Sequence, residues 1–220
     1  GACDKAKKAL EEQLGVSQLE SGDVNALKAS AGWNDAKQAK MTVKFGFELT
    51  EKFEGDLAKG FEFPLPFEIP DKASGAAAGS DKNRSWYLLK LREFEAGEGA
   101  NAVKVSRFQI VAVGYINTET EKFTLDGGKI NEFVAPEQRI SKANKNQDGK
   151  YIIIEAKGNG GLAYLTGVVD LKKNDNSKVP VGGAIMFTTT VPFMTVTNDE
   201  NGKYLLGVAE TEGECQQKGL

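Results

Sequence analysis

A chain of 220 residues and 23.7 kDa with a net charge of −3 has the length of one large β domain with a full core or of two small ones. No basic stripe runs along it, which argues against a nucleic-acid partner, because phosphate neutralisation needs clustered Lys and Arg. Histidine is absent, and its absence excludes Ser-His-Asp and Cys-His nucleophiles and histidine-held zinc or iron.

The chain starts Gly1-Ala2-Cys3-Asp4 and holds one other cysteine, Cys215, in the polar stretch Glu212–Lys218. The start resembles that of a mature bacterial lipoprotein, with Ala2 as the small residue before an acylated cysteine. That resemblance implies a removed signal peptide, export, and a membrane partner reached through an N-terminal lipid anchor on Cys3. The location would then be the bacterial cell envelope, periplasmic or at the surface. Two other readings stand beside it. Cys3 and Cys215 pair in an oxidising compartment, or both are free thiols in the cytosol. Lipidation and the disulfide exclude each other, because a thioether sulfur cannot pair.

Residues 1–40 read as a helical N-terminal segment that packs on, or tethers, the body. Asp4 caps a first helix with Ala6, Ala9, Leu10 and Leu14 at helical spacing, and Gly15 stops it. Asp23 starts a second, with Val24, Ala26, Leu27 and Ala31 on one side and Gly32 after it. No apolar run approaches the roughly 20 residues of a membrane helix.

From Met41 the period changes to two: Met41, Val43, Phe45, Phe47 and Leu49 alternate with Thr42, Lys44, Gly46 and Glu48. Similar runs follow at Ser85–Phe94, Val103–Ile116, Lys122–Leu125, Tyr151–Ala156, Leu162–Leu171, Ala184–Val196 and Tyr204–Ala209. Phe61–Pro70 alternates too, but its three prolines allow only an edge strand or an extended cover. The small, polar residues over 72–84 predict a mobile loop. Asp148-Gly149 and Asn201-Gly202 each enter a strand with the chemistry of a two-residue hairpin turn. Asn117–Lys122 and Asn159-Gly160-Gly161 predict two further hairpins. The fold class is mainly β (α+β): an antiparallel β-sandwich or open barrel over 41–220, behind the short helical segment.

Few patterns carry chemistry. No Ser has Lys three residues later, and no Gly-Lys pair is followed by the Ser or Thr of a phosphate loop. Asn144, Asn146, Asp148 and Glu155 match the spacing of a calcium loop, with Gly149 at the bend. The set has only two carboxylates, and Tyr151–Ile154 reads as strand, so a hairpin turn competes with calcium; no other cofactor is expected. Trp86 and Tyr87 begin a strand beside the predicted loop and are either core or a stacking face for a ligand. Asp126-Gly127-Gly128 is one residue from the aspartic-protease Asp-Thr/Ser-Gly and reads as a turn. By elimination the expected role is a lipid-anchored binding or scaffolding module for a protein or glycan ligand. The alternative is a carboxylate-dependent hydrolase acting on glycans.

Overall fold

Tyr151-Ile152-Ile153-Ile154 is apolar at every position, and a strand can satisfy such a run only when both its faces are covered. The computed structural model describes residues 8, 11–12, 15–50, 53–56, 60–64, 84–117, 120, 122–139, 149–157 and 162–208. Within it all four of these side chains are fully buried.

The strands around them are β1 (Val16–Gln18), β2 (Met41–Leu49), β3 (Phe61–Pro64), β4 (Arg84–Ala96), β5 (Val103–Asn117), β6 (Lys122–Asp126) and β7 (Gly149–Lys157). They form one curled, wholly antiparallel sheet in the order β1-β2-β7-β4-β5-β6-β3, a half-barrel. The mainly β class follows directly. One face gathers Phe45, Phe47, Trp86, Leu88, Phe123, Tyr151 and Ile153. The opposite face gathers Met41, Tyr87, Leu89, Phe108, Ile152 and Ile154.

The opposite face is covered by helix α1 (Ser21–Ser30) and by the C-terminal strands. Leu19 and Val24 descend onto the sheet at Gly46, where an added Cβ would lie 2.5 Å from Val24 Cγ2, and Leu27 is buried in the same core. The α1 helix begins at Ser21, two residues before Asp23, which sits in its first turn. Gly32 follows with a φ of +74°. Of the first predicted helix, Lys8, Glu11 and Glu12 are helical and the rest lies outside the described residues.

The 1–40 segment also holds a strand that helical spacing does not predict. Val16–Gln18 pairs with Phe47–Leu49 of β2. Gly15, at φ +64°, turns the chain into it, and its carbonyl accepts from both Thr50 N and Thr50 Oγ1 at 2.8 Å. Three residues are too short to show alternation. By contrast, β3 lies at the sheet edge, where Pro64 removes no central ladder bond. Residues 65–70 lie outside the described set, as do 72–83 of the predicted loop.

The C-terminal strands are β8 (Ala163–Val168), β9 (Asp170–Lys172), β10 (Lys178–Pro180), β11 (Ile185–Phe187), β12 (Met194–Val196) and β13 (Lys203–Val208). The run expected to be continuous over Ala184–Val196 is a hairpin, β11 against β12. Thr188 Oγ1 donates to Val191 O at 2.7 Å and closes the turn, and Pro192 lacks the N–H that an uninterrupted strand would use. The β13 strand pairs with β8 and packs on β5, and Phe193 is buried edge-on to Trp33.

The β5–β6 hairpin forms as expected, with Asn117 opposite Lys122, and Gly128 N donates to Asp126 Oδ1 at 2.8 Å in the turn read there. The two Asp/Asn-Gly turns differ from expectation. The partners of β7 are β2 and β4, so Gly149 opens no hairpin. Gly202 closes a wider loop, donating to Asn198 O at 2.7 Å while Asn198 N donates to Lys203 O at 2.8 Å. The loop is wide because the buried Asn198 amide donates to Glu132 O and Val134 O.

Seating α1 on a bare glycine sets a testable asymmetry. Gly46→Ala should lower unfolding stability by about 1–3 kcal/mol through overpacking. Gly22→Ala, with open space at its Cβ position on the same helix, should be neutral or slightly stabilising. Urea titration of both variants measures the difference, and equal effects would mean that Gly46 is not the seat.

Candidate functional site

The residues singled out by sequence do not converge in the structure. Cys3, Cys215, Asn144, Asn146 and Asp148 lie outside the described residues. Trp86 and Tyr87 are core, 7% and 9% exposed on opposite faces of the sheet. Trp86 packs edge-on against Phe123 with ring centroids 5.8 Å apart. Burial holds the Tyr87 phenol above its usual range, partly offset by a hydrogen bond with Ser85. The structure therefore corrects the stacking-face alternative: neither ring is presented to solvent.

Glu155 is fully buried in β7, opposite Thr42 on one side and Trp86 on the other. Lys44 Nζ lies 3.0 Å from its Oε2. The contact comes from a bulge: β2 slips register between Val43 and Phe45, and the extra residue is Lys44. Among the described residues no three His, Cys, Asp or Glu side chains gather as a metal site.

A second group of charges lies further along β4. Lys90 and Arg92 continue the side of the strand that carries Trp86 and Leu88. Lys90 is buried, with its ammonium 5.3 Å from the centroid of Tyr151, a ring that itself stacks on Phe47. Arg92 Nε donates to Gln109 Oε1 at 2.9 Å, and Gln109 Nε2 donates to Gln138 Oε1 at 3.2 Å. Burial lowers the Arg92 pKa from its ordinary value while Tyr151 opposes the shift, and a guanidinium stays charged at any physiological pH. The sequence held a signal for this group. Lys90 and Arg92 share the parity of Trp86 and Leu88, so a buried face had to accommodate two cations.

A cleft of about 280 Å³ separates α1 from β2, lined by Gln18, Ser21, Asn25, Lys28 and Lys44 among others. Lys28 is held by Asp35 at 2.7 Å and Lys44 by Glu155. The buried Gln18 Oε1 has no hydrogen-bond donor among the described residues.

The most extensive feature is apolar. Tyr164, Leu165, Val168, Leu171, Val179, Ile185 and Phe187 are each more than a third exposed, and all fall in β8–β11. Every residue of β9 and β10 is exposed. Scattered apolar residues are normal on a surface, but the exposed ones here concentrate between Tyr164 and Phe187, in the C-terminal strands. No protein-family model, curated protein or solved structure matches the chain.

The buried ion pair should respond asymmetrically to substitution. Lys44→Met removes an ion-pair partner from the fully buried Glu155 carboxylate and should cost about 3–5 kcal/mol. Glu155→Leu should cost less, since Lys44 is partly exposed and can turn its ammonium to water. The double variant should be more stable than Lys44→Met alone. Chemical denaturation of the three proteins closes the cycle, and additive losses would mean that the two groups are not coupled.

Proposed function

We propose that this chain is a binding or scaffolding module of the bacterial cell envelope, exported and held at a membrane by a lipid on Cys3. Its C-terminal β layer is the docking face. The observation that carries the binding role is the exposure of seven large apolar side chains across β8–β11. Burying apolar surface yields roughly 25 cal/mol per Å², so covering that layer supplies a driving force that a polar surface lacks. The half-barrel beneath it is filled by packed aromatic side chains and holds the layer on a firm base. A module that docks through one face needs no nucleophile and no metal, which agrees with a sequence lacking histidine.

Expression from the full gene in a bacterial host, followed by intact mass of the mature protein, tests the anchor. A diacylglyceryl and acyl increment on Cys3 is expected, with Cys3→Ser moving the protein from the membrane pellet to the soluble fraction. A mass two hydrogens below the reduced chain would replace the anchor by a Cys3–Cys215 bridge. A retained leader with two free thiols would overturn the exported reading. For the docking face, a photocrosslinker at position 165 should give discrete adducts in cells and one at the exposed Glu98 should not. Equal labelling from both positions would overturn that assignment.

A further inference from the structure

The β8 strand has a neighbour on one side. It pairs with β13 in a two-stranded sheet, and among the described residues no strand lies along its other edge. Val169 N donates to Gly202 O at 3.0 Å, which fixes the phase of the ladder. Backbone groups alternate sides along a strand, so those of Ala163, Leu165 and Gly167 point to β13 and those of Tyr164, Thr166 and Val168 point away. Among the described residues these outward N–H and C=O groups have no hydrogen-bond partner.

Natural edge strands are blunted by charge, proline, a bulge or brevity. Ala163–Val168 carries no charged residue and no proline, and its pairing with β13 runs without a register shift. At six residues it is twice the length of β9, β10, β11 or β12. Tyr164, Leu165 and Val168 are 51%, 55% and 48% exposed. Such an edge accepts another strand through main-chain bonds along its length.

The β8 sequence is complementary to itself. Antiparallel strands exchange bonds between residues whose backbone groups face each other, so the outward residues of one copy must meet the outward residues of another. A two-fold axis at Thr166 engages Tyr164, Thr166 and Val168 on both copies, whereas an axis at Leu165 leaves Val168 facing Leu162, outside the strand. With the axis at Thr166, each Tyr164 opposes a Val168 and the two Thr166 side chains face each other. These are an aromatic–β-branched pair and a Thr–Thr pair, both favourable across strands. Leu165 and Gly167 share the other face of β8. An added Cβ at Gly167 would lie 2.7 Å from Tyr204 Oη, so the Tyr204 ring lies across the bare glycine. Leu165 of one copy, opposite Gly167 of the other, lands against that ring.

We propose that β8 is a dimerisation strand, and that two copies of this chain join edge to edge through Ala163–Val168 in antiparallel register about Thr166. The inference rests on the reading of the C-terminal layer as the docking face and names its partner as a second copy. The pairing consumes the free edge of both copies and so closes at two. A single strand edge is small beside the roughly 800 Å² per partner of a standard interface, so the dimer exchanges with monomer in solution.

Sedimentation velocity of the 220-residue chain, without lipid and in reducing buffer, reads the association over roughly 1 μM to 1 mM. A rise from 23.7 kDa toward twice that mass is expected as concentration increases. Thr166→Lys and Thr166→Glu each set like charges face to face and should weaken the dimer at least tenfold. Their melting temperatures at low concentration should match the parent, because Thr166 is exposed. Mixing the two variants should restore the dimer, since lysine then meets glutamate across the axis. Three results would overturn the proposal. The parent stays monomeric throughout. Either variant associates like the parent. Or the mixture stays monomeric, in which case Thr166 does not face itself. If the parent is monomeric while the position-165 adducts persist in cells, the second-copy assignment fails and the docking reading survives with an unlike protein.

Discussion

The fold depends on a strand that cannot tolerate water on either side. With Tyr151 and Ile153 facing one core and Ile152 and Ile154 the other, β7 requires both faces of the sheet to be covered at once. That requirement explains the element order. The sheet curls so that its aromatic face closes on itself, with Phe53 meeting Phe61 edge-on near the rim. The other face draws in α1 and the C-terminal strands. Isolating either half would expose the other side of β7, so the helical segment and the C-terminal layer are integral to the domain.

Buried polar groups are accommodated by the same arrangement. Glu155 and Lys90 sit on the aromatic side at opposite ends of the β7–β4 pairing, each beside a compensating group. The carboxylate has a lysine brought to it by a bulge, and the ammonium has an aromatic ring. Such groups contribute little net stability compared with apolar residues of the same volume. Their consequence is register: a one-residue slip of β7 against β4 or β2 would separate both from their partners and reverse every apolar side chain.

What the sequence made legible follows from the same physics. Regular alternation predicts β2, β4, β5 and β6 to within a residue or two, because each has a run long enough for the period to show. The three-residue β1 has no period to read. Thr188–Val191 is built of good strand formers, and the turn there is set by one hydroxyl and one proline. Alternation also says which residues share a face and never whether that face is covered. For that reason the sequence leaves Trp86 and Tyr87 open between core and ligand, and their burial decides for core. For the same reason the exposure of Leu165 and Leu171 was invisible: an uncovered apolar residue and a buried one leave the same mark in a sequence.

The bulge at Lys44 has one more effect, on how the molecule behaves in a crowd. The β1 strand covers only Phe47–Leu49 of its neighbour, and among the described residues no strand pairs along the remaining flank of β2. A straight flank there would be a template on which another chain could extend the sheet without limit. The slipped register breaks the even spacing of donors and acceptors, and a lysine committed to Glu155 stands where an incoming strand would have to lie flat. The substitution that dismantles the ion pair would therefore also open a growth face, and Lys44→Met protein should be harder to keep soluble than its loss of stability alone explains.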